Sequence, residues 1–161
     1  MLKFFLNPDT SAYLRSLANE FGESSNAIRL ELNRLEEAGM LSSHSEGNKK
    51  IFNVNKIHPL FNDLNKIVRK YIGLDVTVDN ILKGLGELER VYLTGDLAQG
   101  KDSRIIDLIL VGDIDKIYLM TMVEKAEKML ERKIRYVVYT SQEADKEFFD
   151  VKKCLLVWGK K

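Results

Sequence analysis

The chain has 161 residues, 45% hydrophobic and 30% charged, so it can form one ordinary domain or two small ones with a buried core. A formal net charge of +1 excludes a grossly basic nucleic-acid coat, although it leaves room for a local basic face. The single cysteine, Cys154, excludes an intrachain disulfide and a cysteine-based zinc site. No segment approaches the roughly 18 apolar residues of a membrane span. We therefore expect a cytoplasmic protein with no metal, no cofactor and no membrane contact.

The N-terminus begins with a short apolar patch, Phe4 to Leu6, which we expect to pack on the elements that follow. A first helix is predicted from Thr10 or Ser11, since either hydroxyl can cap it, to about Phe21, and Gly22 ends it. Its apolar stripe consists of Leu14, Leu17, Ala18 and Phe21.

A second helix is predicted within Glu23 to Leu41, written ESSNAIRLELNRLEEAGML. Ser24 and Ser25 are its N-cap candidates because their hydroxyls can accept the N–H groups of the first turn. Gly39 is the natural left-handed stop. The residues that recur at helical spacing on its apolar side are Ile28, Leu32 and Leu35.

The opposite side of this helix carries polar groups suited to a base edge. Asn26, Arg29 and Asn33 project together. Short amides and a guanidinium are the groups that can bond to bases in the major groove. The alternative is an ordinary amphipathic surface helix.

A β-hairpin is predicted directly after the second helix, ending at Val54, with Gly47-Asn48 as its turn signal. Its polar tip carries Lys49 and Lys50, which we expect to contact phosphate because of where the hairpin stands. A solvated tip is the alternative. His44 is given no metal role.

Residues 10–54 resemble the bacterial and archaeal winged-helix transcription regulators of the ArsR/MarR kind, on the run SSNAIRLELNRLEEAGML followed by a hairpin. The resemblance implies a winged helix-turn-helix DNA-binding domain over residues 1–72. Such regulators usually dimerise and bind inverted repeats, so double-stranded DNA and a second copy are the expected partners. Metal sensing is not implied, because the cysteine pair of the metal-sensing branch is absent. The expected DNA-binding residues are Ser24, Ser25, Asn26, Arg29, Asn33, Lys49 and Lys50.

Two helices are predicted between the hairpin and the C-terminal part of the chain. The first runs from about Pro59 to Tyr71, and its broad apolar face suits packing on the winged helix or on a partner copy. The second runs from about Val76 to Leu85, and we place the domain boundary near Gly73.

The C-terminal part alternates strand and helix signals, which indicates an α/β domain. Strands are predicted at Leu88–Thr94, Ile105–Val111, Ile134–Tyr139 and Cys154–Trp158. A helix is predicted over Asp113–Arg132 and a short one over SQEADKEFF, which starts at Ser141. The residues expected to face inward from the long helix are Ile114, Ile117, Tyr118, Met122, Ala126 and Met129.

The run LTGDLAQGKDSRIIDLILV, residues 93–111, resembles the core of the polymerase-beta-like nucleotidyltransferases. That family has a strand ending in Gly-Ser, a loop, and then a strand carrying Asp-x-Asp. Gly95, Ala98, Gly100 and Asp107 match in kind and order. The resemblance covers about residues 76–158 and implies a small mixed-sheet domain over 73–161. Its ligand loop would consist of Gly95, Asp96, Gly100 and Asp107.

The active-site positions depart from that pattern. Asp96 replaces the Ser that helps to hold triphosphate, and Ile105 replaces the first Asp of the pair. The strand Ile134–Tyr139 offers no third carboxylate. Two-metal phosphoryl transfer needs convergent oxygen ligands. We therefore expect a domain without catalytic residues, kept for ligand sensing or dimerisation.

The fold class predicted from the sequence is α/β (α+β), a winged helix-turn-helix followed by a nucleotidyltransferase-like mixed-sheet domain. The predicted function is a sequence-specific DNA-binding transcription regulator that is not an enzyme, with an unidentified small-molecule effector. One alternative is a nucleotidyltransferase or a nucleotide-binding, antitoxin-like protein. The other is an interaction module whose winged helix binds protein.

Overall fold

The computed structural model describes residues 2–74, 84–145, 150 and 153–159. The chain divides into two compact units, Met1–Val68 and Arg69–Lys161, whereas the predicted limit was residue 72. The roles predicted for the two domains stay predictions. The predicted helix at Val76–Leu85 lies almost wholly outside the described residues. No helix in the described ranges is both long enough and apolar enough to span a membrane.

The N-terminal unit carries a three-stranded antiparallel sheet and short helices. The strand order is β1-β3-β2. Its elements in chain order are α1 (Leu2–Leu6), β1 (Ser11–Tyr13), α2 (Leu14–Phe21), α3 (Ser25–Glu37), β2 (Leu41–Glu46) and β3 (Lys49–Val54). A further helix, α4 (Phe61–Tyr71), runs through the limit between the two units.

The predicted second helix and hairpin are confirmed as α3, β2 and β3. Ser24 is the N-cap of α3, and its hydroxyl accepts a hydrogen bond from the N–H of Ala27 at 3.2 Å. Gly39 follows the helix with a φ of 71°, as expected of a left-handed stop. On the apolar stripe Leu32 is buried, while Ile28 and Leu35 are half-buried.

The predicted start of the first helix was wrong. Ser11 and Tyr13 belong to β1, where they pair with Asn53 and Ile51 of β3, and Tyr13 is the N-cap of α2. Residues 11–13, which were predicted to form the first helical turn, therefore pair with the free edge of β3 as a strand. The apolar patch before it forms α1, in which Phe4, Phe5 and Leu6 are buried.

The C-terminal unit is a mixed α/β domain with a mixed four-stranded sheet of order β6-β5-β4-β7. Strands β5 and β6 are parallel, and the other neighbours are antiparallel. The elements are β4 (Gly86–Thr94), α5 (Gly95–Ala98), β5 (Ile105–Ile114), α6 (Lys116–Leu130), β6 (Lys133–Tyr139), α7 (Ser141–Asp145) and β7 (Leu155–Gly159). The strands and the long helix agree with prediction to within a few residues.

The face predicted to point inward from the long helix was right in part. Ala126 is buried as predicted, but Ile117 and Met129 are exposed. The other residues that α6 buries are Leu119 and Val123, which were not predicted. Apolar residues occur on more than one side of this helix, so its buried side is chosen by where the sheet lies and not by the pattern alone.

Candidate functional site

The order of β4, β5 and β6 brings three polar side chains into one row across the sheet. Thr94 of β4 is paired with Asp107 of β5, and Asp107 is paired with Arg135 of β6. Paired residues of neighbouring strands project from the same face. We call Thr94, Asp107 and Arg135 the polar row.

Asp107 and Arg135 form a two-pronged ion pair within the polar row. The Nε of Arg135 donates to one carboxylate oxygen at 2.6 Å, and its Nη2 donates to the other at 3.0 Å. The Asp107 side chain is 17% exposed, whereas that of Arg135 is 67% exposed. A carboxylate held by the fold thus fixes the plane of a guanidinium that water still reaches.

Gly95 brings the turn after β4 close to this pair. Its φ is 69°, which an L side chain rarely adopts. A Cβ placed on Gly95 would stand 2.5 Å from Oδ2 of Asp107. Glycine therefore allows both the backbone conformation and the close approach of the turn to the carboxylate.

The surrounding carboxylates stabilise the protonated form of Arg135. Its pKa is raised, first by the hydrogen bond to Asp107, then by electrostatic attraction to that carboxylate, and further by the charge of Asp96. Asp96 itself is exposed. The site therefore combines one fixed cation with two carboxylates.

The loop residues predicted from the sequence are only partly brought together. Gly95 lies against Asp107, and Asp96 acts on Arg135 through its charge. Gly100 is buried, and its N–H donates to the carbonyl of Leu97 at 2.9 Å. In the described part of the chain, the hydrogen bonds of Asp107 come from Arg135 and not from N–H groups of the loop.

Arg135 was not among the residues predicted from the sequence. The strand Ile134–Tyr139 was expected to lack a carboxylate, but an arginine beside Asp107 was not expected. A usable signal was its place at the start of a strand whose neighbours are apolar. The pairing of Asp107 with Arg135 depends on the register of β5 against β6, which cannot be read from the sequence.

The residues at this site do not fit the Mg²⁺ ions that the nucleotidyltransferase resemblance implies. Both oxygens of Asp107 accept from Arg135, and Ile105 stands where a second carboxylate would face the same side. Within the described ranges, no cluster of three or more His, Cys, Asp or Glu side chains is placed to hold a metal ion. Divalent magnesium needs oxygen ligands that a guanidinium does not offer.

A second arginine–aspartate pair joins Arg132, just before β6, to Asp102 in the loop before β5. Arg132 donates to Asp102 at 3.2 and 3.3 Å and also to the carbonyl of Ser103. The hydroxyl of Tyr71 donates to Asp102 at 3.1 Å, and the guanidinium lies 5.4 Å from the ring centroid of Tyr71. These groups line an open cleft of about 550 Å³. Asp102 itself is 53% exposed.

The seven residues predicted to bind DNA lie on α3 and the hairpin. Ser24 and Ser25 stand at the start of α3, and Asn26, Arg29 and Asn33 are exposed along it. Whether any of the seven contacts DNA stays a prediction.

The two hairpin lysines are already engaged within the N-terminal unit. The ammonium of Lys49 lies 4.6 Å from the ring centroid of Tyr13. The ammonium of Lys50 donates to Glu36 at 2.6 Å. Glu36 also accepts from the hydroxyl of Ser43, so this carboxylate joins α3 to both strands of the hairpin.

No protein-family model and no curated protein matches the chain. It is similar to a structure of a mutant MntA–HpeT toxin–antitoxin, with 14% identity over 54% of this chain and 73% of that chain and a TM-score of 0.41. It is similar to a candidate nucleotidyltransferase from Sulfolobus solfataricus, with 23% identity over 58% and 83% and a TM-score of 0.40. It is also similar to a tri-AMPylated Shewanella oneidensis HEPN toxin in complex with MNT antitoxin, with 14% identity over 57% and 73% and a TM-score of 0.40.

These comparisons contradict two predictions made from the sequence. We predicted a DNA-binding transcription regulator, whereas the similar structures are described as a nucleotidyltransferase and as toxin–antitoxin complexes. We also predicted that the protein is not an enzyme, and the same structures contradict that prediction. Double-stranded DNA as the partner finds no support in them. The prediction of DNA binding rested on local signals, and a helix-turn-helix and a hairpin define elements of a fold but not the ligand of the whole chain.

At these TM-scores, the similarity assigns neither a reaction nor a substrate to this chain.

Proposed function

We propose that the C-terminal unit binds a nucleoside triphosphate on the face that carries the polar row, as a nucleotide-binding domain of the nucleotidyltransferase-like kind. The observation that carries the proposal is the contact between the Gly95 turn and the Asp107–Arg135 pair. It places Gly95, which has no side chain, against the carboxylate that orients an exposed guanidinium on one face of the sheet.

The chemistry of this face suits a phosphate chain. A planar guanidinium recognises phosphate oxygens through parallel N–H bonds. Gly95 lacks a side chain, so the turn can lie against the Asp107 carboxylate that orients this guanidinium. The order of elements, strand, glycine turn, strand, helix and parallel strand, also agrees with the resemblance stated for residues 93–111.

An apolar contact for the base or the ribose lies next to the polar row. Val137 follows Arg135 by two positions on β6, so both side chains project from the same face. Its side chain is 50% exposed. The two positions are separated by roughly 7 Å along the strand, which is within the span of a nucleotide.

The N-terminal unit is proposed to be a winged helix in fold only. The order β1-α2-α3-β2-β3 and the sheet order β1-β3-β2 support this. The predicted homodimer also stands as a proposal, and the mass of the full chain by light scattering tests it.

Calorimetric titration of the full chain with ATP, GTP, CTP and UTP, each with Mg²⁺, tests the proposed function. We expect saturable binding of at least one nucleotide. Val137→Glu should weaken it at least about tenfold, because a charged carboxylate replaces the apolar contact for the base or the ribose. Ile117→Glu is the matched control, since it adds the same charge to an exposed apolar position on α6.

Two results would overturn the proposal. One is the absence of binding to all four nucleotides by folded protein. The other is an equal loss in both glutamate variants, which would move the site away from Val137. Movement of radiolabel from the α-phosphate to a protein or RNA acceptor in the same preparation would extend the function from binding to nucleotidyl transfer.

A further inference from the structure

The polar row holds a fixed positive charge at the place where the nucleotidyltransferase resemblance calls for carboxylates and metal. Asp107 is the carboxylate that matches the family pattern, and Arg135 engages both of its oxygens. The charge of this carboxylate is therefore balanced by Arg135 and not by a divalent ion. The positive charge at this site comes from a side chain of the protein.

Arg135 still has donors to offer a ligand. A guanidinium has N–H donors on three nitrogens, and Asp107 takes one from Nε and one from Nη2. No other hydrogen bond of Arg135 is found among the residues that the structure describes. With its side chain 67% exposed, the remaining N–H groups face water.

Asp107 holds these donors in a constant orientation. It is largely buried on the central strand β5, and two parallel bonds fix the guanidinium plane against it. A preorganised donor loses less side-chain entropy on binding than a free arginine would. Asp107 is thus a positioning residue for Arg135.

We propose that Arg135 holds the phosphates of the bound nucleotide in place of a divalent cation, so that binding does not require metal. This inference rests on the proposed nucleotide-binding function and specifies its chemistry. It concerns the form of the ligand, which would be the free nucleotide and not its magnesium complex.

Asp96 limits the affinity of such a site. Its carboxylate acts on the same guanidinium and would face the phosphates without a metal between them. Asp96→Ser removes this charge and should tighten binding about two- to fivefold, the range of a single exposed charge interaction.

The test is calorimetric titration of the full chain with ATP and with inorganic tripolyphosphate, once in EDTA and once in Mg²⁺. We expect both probes to bind in EDTA at least as tightly as in Mg²⁺, because Mg²⁺ lowers the concentration of the free anion. Arg135→Gln should weaken both at least about tenfold, the value of a charge-assisted hydrogen bond. Lys125→Gln, which removes one positive charge from the exposed side of α6, is the matched control and should bind as the wild type does.

The outcomes separate the two proposals. Binding that needs Mg²⁺, or binding in EDTA that survives Arg135→Gln, overturns the role of Arg135 and leaves nucleotide binding standing. Binding in neither condition overturns the proposed function and the inference with it. Metal-free binding that is lost in Arg135→Gln, kept in Lys125→Gln and increased in Asp96→Ser supports both.

Discussion

Arg132 and Arg135 both pair with an aspartate of the C-terminal unit, but they differ in how far water reaches them. The Arg132 side chain is 13% exposed, and it binds Asp102, the Ser103 carbonyl and the ring face of Tyr71. The Arg135 side chain is 67% exposed and, among the described residues, pairs with Asp107.

The difference in exposure indicates that Arg132 stabilises the fold, whereas Arg135 is accessible to a ligand. When a largely buried arginine loses its place, the groups around it lose bonds that water cannot fully replace. When an exposed arginine is removed, water solvates what remains. The two pairs therefore predict opposite responses in stability and in binding.

The largest effect is expected for Arg132→Ala. It removes the bonds to Asp102 and Ser103 and the contact with Tyr71, and should lower the free energy of unfolding by roughly 2–3 kcal/mol, since Asp102 is half exposed. Urea unfolding followed by Trp158 fluorescence measures it in this unit. Arg104→Ala, an exposed arginine beside the same cleft, is the control, and equal midpoints for the two variants would contradict the prediction.

Gly95→Ala should cost less, about 1–2 kcal/mol for the left-handed backbone. Contact of the new methyl group with Asp107 adds to that cost. The substitution therefore displaces the Asp107–Arg135 pair without removing a charge. Unfolding followed by Trp158 again reports it. Gly22→Ala has a similar φ of 66° with open space around it, so backbone strain alone applies there. Because Gly22 lies in the N-terminal unit, hydrogen exchange of the α2 amides measures its loss. A smaller loss for Gly95→Ala than for Gly22→Ala would speak against the close contact.

Glu36→Gln extends the comparison to an exposed pair in the N-terminal unit. The pKa of Glu36 is lowered from 4.5, first by its bond from Lys50 and then by that from Ser43. A lowered folded-state pKa gives stability that is present above the unfolded-state value and is lost as pH falls through the folded-state value. The wild type should exceed Glu36→Gln by less than about 1 kcal/mol at neutral pH, and the difference should vanish well below pH 4.5.

Hydrogen exchange of the β2 and β3 amides measures this effect in the right unit. Glu37→Gln is the matched control, because Glu37 neighbours Glu36 on α3 and is exposed. A difference between Glu36→Gln and wild type that persists at low pH would show that the carboxylate's charge is not its source.

The smallest effect on stability is expected for Arg135→Gln. Its guanidinium is exposed and glutamine can still donate one hydrogen bond to Asp107, so the unfolding midpoint should fall much less than in Arg132→Ala while nucleotide binding falls. Urea unfolding and calorimetry on one preparation measure both. A midpoint lowered as far as in Arg132→Ala would erase the distinction between the two pairs and make Arg135 a structural residue.

Local signals in the sequence were enough to define the elements. Helical spacing of Ile28 and Leu32, the Ser24 cap and the Gly47 turn predicted α3 and the hairpin, because caps and periodicity act within a few residues. The apolar run after Ile105 predicted the central strand in the same way.

Local signals failed where a distant segment decided the outcome. Residues 11–13 form a strand only because β3 offers them an edge, and the buried side of α6 is set by the sheet it covers. The function predicted from the N-terminal resemblance failed for a related reason, since a fold element does not name its ligand.

The sequence by itself determined most of the helices and strands of both units and the glycine turn after β4. It also showed that the carboxylates needed to bind two metal ions are missing. Only the tertiary structure decided what stands beside Asp107. The parallel register of β5 and β6 pairs Asp107 with Arg135, and a shift by one residue would turn Arg135 to the other face. That register depends on packing along both strands, which no short stretch of sequence encodes.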